Sequence, residues 1–311
     1  MELLKAYNSV KTWIAYCWLV ALMQIGMPAM AQEAEYHFGV RWSVNGMPSS
    51  LRIHDIMISF DGAPSYLDTR LPVSQYVRNG KNTISLNAWP LEYEPDSELR
   101  MSLLYWEPGQ NPNTEADTAF EVVMMPGKED AVPEIVFQDP NAPLQPRESE
   151  IRFNRYEEYD TLQVNFNNRQ AMPTWCWERG EVLQDSDATR DSLAREYRRL
   201  HSLFEAKDND ALMDESSTMI QELAQASGES EEYVRQRASF SMFFNSPDVF
   251  ELEPFPEEPM TLNLGAENRV AWLTTQGAQV PIRFEHVQEN DVSSRVRLYF
   301  TRRDGQWEIC R

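Results

Sequence analysis

The side chains with chemistry to offer in this 311-residue chain are four histidines, three cysteines and an excess of carboxylates. His286 has the most promising surroundings. In "PIRFEHV" it alternates with Ile282 and Phe284, which on a strand places it on one face with two apolar neighbours. Were that face concave, its imidazole would be a candidate general base, since its ordinary pKa lies close to working pH. Tyr197 and Trp272 are the aromatic candidates for lining the same ligand-binding cavity. The competing reading makes His286 a partly exposed polar residue beside Glu285 and Glu289, and no Asp or Glu is singled out as its partner.

Other chemistries fail on spacing. His37, His54, His201 and His286 are too scattered for a motif such as H-E-x-x-H, and the cysteines lack C-x-x-C, so no metal site is expected. No G-x-S-x-G elbow, Walker loop or G-x-G-x-x-G occurs, and no cofactor is expected. Cys176 stands between Trp175 and Trp177, neighbours that suggest packing, whereas a reactive thiol needs an electropositive setting.

The start of the chain bears on these cysteines. Lys5 and Lys11 precede an apolar run from Trp13 to Met27, and Ala29-Met30-Ala31 follows, the order of a secretory signal peptide cleaved after Ala31. An uncleaved anchor is the alternative, but the run is short for a span of about 20 residues. Cleavage would leave Cys176 and Cys310. An oxidising compartment favours a disulfide between them; two buried free thiols are the other reading. With no second long apolar run and a mean hydropathy of −0.55, the mature chain is expected to be soluble and not stably membrane-inserted, in the periplasm or else outside the cell.

Charge narrows the partners. Loss of residues 1–31 removes Glu2, Lys5 and Lys11 from totals of 49 acidic and 28 basic residues, which leaves a net charge of −22. Such a field repels phosphate backbones and anionic headgroups, so nucleic acid is excluded and a basic protein or cationic ligand is the better match. The plainer role of that charge is solubility.

The elements that must position these residues divide into two domains. From residue 36 to 170 short alternating runs such as "HFGVRWSVNG", "NTISLNAWP", "FEVVMM", "PEIVFQ" and "TLQVNF" are punctuated by Asn, Gly, Asp and Pro. That texture predicts an all-β sandwich of antiparallel pairs. In "LRIHDIMI", Leu51 and Ile53 fall in one phase and Ile56 and Ile58 in the other, so a bulge is expected at His54 or Asp55. Asn79-Gly80, ahead of Ile84, Leu86 and Ala88, reads as a tight hairpin turn. "EPGQNPNTEADT" and "QDPNAPLQPRE" read as exposed loops. "VSQYVRNGKNTISL" resembles the loop-then-strand phrase of jelly-roll and immunoglobulin-like sandwiches, in which an apolar pair before the turn seals the end of the core.

Residues 171–187 read as a linker, after which the period changes to 3.6. A first helix, capped by Asp187 or Thr189, carries Leu193, Tyr197, Leu200 and Phe204 on one stripe. A second carries Leu212, Met219, Ile220 and Leu223 and stops at Ser227-Gly228; a third runs from a Ser230 cap to the residues before Pro247. Strands then return, so 188–311 is expected to be an α+β domain with helices packed on an antiparallel sheet. The long first helix, the "EAKDNDALM" break and the closing "VRLYFTRRDGQWEIC" resemble the nuclear transport factor 2-like superfamily, a cone of helices packed into a curved sheet. The resemblance implies a possible pocket, in a superfamily that holds isomerases, dehydratases and many binding modules.

Two functions follow from this reading. One is an exported, non-enzymatic protein that binds another protein or an envelope component through loops, a sheet edge or its acidic surface, as an accessory or immunity-type factor would. The alternative is a small-molecule isomerase, dehydratase or hydrolase using a pocket in the C-terminal cone.

Overall fold

The computed structural model describes residues 35–311 apart from 45–47, 62–66, 90–96, 127, 129–131, 158, 277–278 and 289–292. The leader expected at 1–31 lies outside the described residues. Antiparallel sheets dominate, and a helical region enters in the C-terminal half.

Two five-stranded sheets make up the N-terminal half. One has the order β4 (Leu67–Pro72), β1 (His37–Val44), β6 (Leu99–Trp106), β7 (Asp117–Met124) and β8 (Glu134–Gln138). The other runs β3 (Ile56–Asp61), β2 (Ser49–Ile53), β5 (Gly80–Ala88), β10 (Asp160–Asn168) and β9 (Leu144–Arg155). Alternation turns Val40 and Trp42 of β1, Leu103 of β6 and Phe120 of β7 into the same core as Leu51, Leu86 and Phe166 of the other sheet. Phe120 and Phe166 meet across it with ring centroids 6.1 Å apart. Burial of each such side chain stabilises the fold by about 1.5–3 kcal/mol.

Three local expectations are corrected. The phase change at His54-Asp55 is a two-residue hairpin turn between β2 and β3, with φ of 51° and 65°, and the irregularity in their pairing falls instead between Leu51 and Arg52, which leaves Ile58 of β3 as an extra residue. Reversal of the chain brings Ile53 and Ile56 to adjacent partners, and both are fully buried. Asn79-Gly80 closes no hairpin. Only Gly80 has positive φ, 78°, and the segment passes from β4 in one sheet to β5 in the other through a single 3-10 turn, Ser74–Tyr76. Val73 and Val77, on either side of that turn, cap the first core. The "QDPNAPLQPRE" stretch is not loop throughout, because Ala142 and Leu144 are buried in the same core and β9 starts at Leu144.

The helical region opens with α1 (Cys176–Arg179) and α2 (Asp187–Glu205). Ser186, not Asp187 or Thr189, caps α2, its hydroxyl accepting from the Thr189 N–H at 3.2 Å. The expected second helix is two, α3 (Asn209–Glu215) and α4 (Ser217–Ser227), which meet at Ser216. Gly228 ends α4 at φ 70°, a conformation that side-chain-bearing residues resist. The third expected helix also breaks, into α5 (Glu231–Arg237) behind a Ser230 cap and α6 (Ser241–Asn245). Among the described residues seven strands complete the half. β11 (Phe250–Leu252), β14 (Arg283–His286) and β15 (Ser293–Arg295) form one sheet; β12 (Thr261–Gly265), β13 (Val270–Thr274), β16 (Phe300–Arg303) and β17 (Gln306–Ile309) form another. Leu193, Tyr197, Leu200 and Phe204 of α2 pack with Ala271, Leu273, Phe284 and Phe300 in a second core.

Residues 171–187, expected as a linker, are packed at their centre. Trp175, Cys176 and Trp177 are buried with Ile56, Trp272, Tyr299 and Cys310 in a third cluster that joins the two halves. The reason is polar as well as apolar. The indole N–H groups of Trp175 and Trp177 donate to the carbonyls of Val77 (2.8 Å) and Gln75 (3.0 Å), at the 3-10 turn of the other half. Cys176 and Cys310 are bonded, with Cα atoms 5.8 Å apart. Arg311 reaches from the same corner to the Gln75 carbonyl at 2.6 Å and to Glu222 of α4 at 2.7 Å.

A second seam lies at the β2–β3 turn. The Ala266 N–H donates to the His54 carbonyl at 2.6 Å, Arg78 pairs with Glu267 at 2.7 Å, and the His54 ring lies 5.0 Å from Trp177. The Asn82 amide donates to the Arg78 and Gly80 carbonyls, so its oxygen faces His54 Nε2 at 3.0 Å and that nitrogen carries the proton. Burial lowers the His54 pKa from 6.5 to about 4, against a smaller upward pull from the Asn82 bond.

Two outcomes follow. Replacing Cys176 and Cys310 together by Ser removes a cross-link spanning 134 residues of sequence and should lower unfolding stability by about 5 kcal/mol, measured by urea titration; a loss below about 1 kcal/mol would show that the junction holds without it. Protonation supplies the second test. The unfolded chain takes up the His54 proton near pH 6.5 and the folded chain only near pH 4, so stability should fall as pH drops through that interval, by about 3 kcal/mol in all. The variant His54→Gln should lose that part of the pH dependence, and an unchanged profile would refute the assignment.

Candidate functional site

The residues with expected chemistry occupy three separate environments. Tyr197 is inside the second core, its hydroxyl donating to the Leu298 carbonyl at 2.8 Å and its ring edge-on to Phe300 at 4.9 Å. Burial pushes that hydroxyl well above the ordinary tyrosine pKa. Trp272 lies on the other side of its strand. Ala271 and Leu273 pack in the core that holds Tyr197, while Trp272 between them packs against Tyr299 in the third cluster, as period two requires. The pleat thus turns Trp272 away from the core that holds Tyr197.

His286 ends β14, opposite Phe250 of β11. Its Nε2 is 3.0 Å from the Ser294 hydroxyl and its ring is edge-on to Phe250 at 4.8 Å. Among the described residues no carboxylate pairs with it, and Glu289 lies outside the described residues. Cys176, Cys310 and Glu222 do converge, with possible ligand atoms within 4.8 Å of one another. Their capacity is already used: the sulfurs are joined, and the Glu222 carboxylate accepts from the Cys176 N–H and binds Arg179 and Arg311.

The surface offers a different feature at the last strands of the two large sheets. Among the described residues β8 and β9 are outermost in their sheets. Pro133 stands just before β8, and the pairing with β7 slips between Glu121 and Val122, leaving Val136 as an extra residue. Pro, slippage and short length all limit pairing along an edge. Yet the strand is apolar on both faces. Ile135 packs towards the first core, whereas Val136 is 51% and Phe137 49% exposed, and Val132 nearby is 67% exposed.

A groove of about 470 Å³ lies between these edges, with Ile135 and Ile151 at its apolar lining and the exposed carboxylates of Glu134 and Glu148 beside them. One end of the gap is tied shut. Gln138 of β8 donates to Gln145 of β9 at 2.9 Å, and Gln145 in turn donates to the carbonyls of Asp139 and Ala142 in the connecting turn. The Asn141 N–H and the Tyr105 hydroxyl, each 2.8 Å away, hold the Asp139 carboxyl below its ordinary pKa. The edge therefore presents half-exposed apolar side chains and negative charge together.

Comparison with known proteins adds no identity: no family model, curated protein or solved structure matches the chain.

The strand at "PEIVFQ" is legible in the sequence, and its apolar excess is the signal that marks this edge. Three apolar residues in succession within a five-residue strand put water-avoiding groups on both faces, a signal that one face lacks cover. As half-exposed positions, Val136→Lys and Phe137→Lys should each change unfolding stability by less than about 0.5 kcal/mol. Phe120→Ala, in the core between the sheets, should cost about 3–5 kcal/mol in the same denaturant titration. Equal losses at the two sites would mean that β8 is covered.

Proposed function

We propose that this chain is an exported, non-enzymatic protein that binds another protein or an envelope component, and that the outer edge at β8 is where it binds. The observation that carries this is the half exposure of Val136 and Phe137 on an outermost strand. An extended segment laid along β8 would satisfy its free backbone groups and cover those two side chains, the mode by which sheet edges recruit peptides. Basic residues in that segment would meet Glu134 and Glu148, in keeping with the expectation of a basic partner. The bonded Cys176 and Cys310 support an oxidising compartment, the periplasm or the exterior.

The proposal extends to architecture. Two sheets that share one core support a β-sandwich for the first half. Helices followed by antiparallel strands support an NTF2-like cone for the second. The dispersal of Tyr197, Trp272 and His286 favours binding over the enzymatic alternative.

Affinity capture from an envelope extract, with the wild type beside the double variant Val136→Lys/Phe137→Lys, tests the reading. A partner held by the wild type, lost by the double variant and weakened by Glu134→Gln/Glu148→Gln in a salt-dependent manner is expected. Capture of the same proteins in the same amounts by all three would remove β8 from the function.

A further inference from the structure

A second cavity, of about 600 Å³, opens in the C-terminal half between the end of α2 and β11. Its walls are aromatic. Phe243 and Phe284 stack at 4.2 Å with planes 7° apart, Phe250 meets Phe243 edge-on at 5.1 Å, and Phe204 meets Phe284 edge-on at 5.8 Å. Space of this size accommodates a small organic ligand. Ring faces carry negative charge density, so an aromatic wall accepts a cation more readily than an anion.

The polar groups at the cavity point the same way. Glu205 and Glu251 line it and are exposed, while Glu253 is taken by Arg283 at 2.6 Å. Glu251 lies directly across from Glu285 in the β11–β14 register, and like charges so placed repel. Among the described residues no cation pairs with Glu251. Lys207 is the one lysine on the lining, and it is exposed.

His201 supplies the most specific clue. It is 3% exposed, and its Nε2 lies 2.9 Å from the Glu253 carbonyl oxygen, which can only accept, so Nε2 carries a hydrogen. Its Nδ1 faces the Glu205 carboxylate at 3.6 Å, one helical turn along α2 at the cavity lining. An ammonium group entering the cavity would donate to that carboxylate and neutralise it.

The geometry points to a binding site for a small amine with an apolar body, the chain or ring held among Phe204, Phe243, Phe250 and Phe284 and the ammonium group at Glu205, His201 and Glu251. This site is separate from the β8 edge and stands whether or not that edge binds a partner.

Calorimetric titration of the full chain with octylammonium, octyl sulfate and octanol decides it. Octylammonium should saturate one site, octanol should bind more weakly, and octyl sulfate should not compete. Glu205→Gln and Glu251→Gln, both at exposed positions, should each weaken octylammonium roughly fivefold, and Lys207→Ala should tighten it by a similar factor. Glu134→Gln/Glu148→Gln, remote from the cavity, should leave it unchanged. Should octyl sulfate bind as tightly as the amine, or the remote pair weaken binding as much as the rim variants, the assignment fails. Phe244→Ala should lower affinity about tenfold by removing wall area; if circular dichroism finds that variant unfolded, the two rim carboxamides still decide the matter.

Discussion

The buried ion pair between Glu222 and Arg311 is the constraint around which the two halves are organised. Arg311 Nη1 lies 2.7 Å from the Glu222 carboxylate, the side chains are only 8% and 3% exposed, and the guanidinium sits over the rings of Tyr76 and Trp175. Two charges removed from water are tolerable only when their remaining hydrogen-bonding capacity is met. Most of it is met by the opposite half and by the α1 segment, and Arg311 Nε is the atom without a partner among the described residues. Gln75 supplies a carbonyl to Arg311, while the Cys176 N–H, at 2.6 Å, and Arg179, at 3.0 Å, serve Glu222. A carboxylate on α4, a cation after β17, a backbone amide at α1 and a turn between β4 and β5 are thus mutually dependent. Displacing any one removes a hydrogen-bond partner from a buried charge.

That dependence explains why the two cores do not behave as independent beads. The first is assembled from residues of the two large sheets and the second from helices and the later strands, each satisfied within its own half. What joins them is the third cluster, in which tryptophans donate across the boundary to carbonyls that no strand partner uses. Residues from Ala34 to Arg311 accordingly form one compact unit. None of the junction residues lines the β8 groove or the phenylalanine-lined cavity, the two places at which binding is proposed. Both are acidic at the rim and apolar within, consistent with the excess of carboxylates over the whole chain.

Periodicity by itself determined a good deal about this protein. Alternation in the first half and a 3.6-residue stripe in the second follow from which side chains avoid water, so antiparallel sheets and the packed face of α2 were legible at Leu86, Val164, Leu193, Tyr197 and Phe204. Capping was legible at Ser230 and Gly228 for the same local reason, that a side-chain oxygen or a left-handed glycine satisfies the helix end.

Only tertiary structure decided the rest. Whether His54-Asp55 bulges or turns depends on which strand lies beside Ile56, and whether Asn79-Gly80 closes a hairpin depends on which sheet receives β5. A sequence states the phase of Trp272 but not what lies on each side of its strand, so its separation from Tyr197 was invisible. The exposure of Phe137 and the approach of His201 to Glu205 are likewise set by elements distant in the chain, since local residue order fixes which way a side chain can point and only the assembled neighbours fix what it meets.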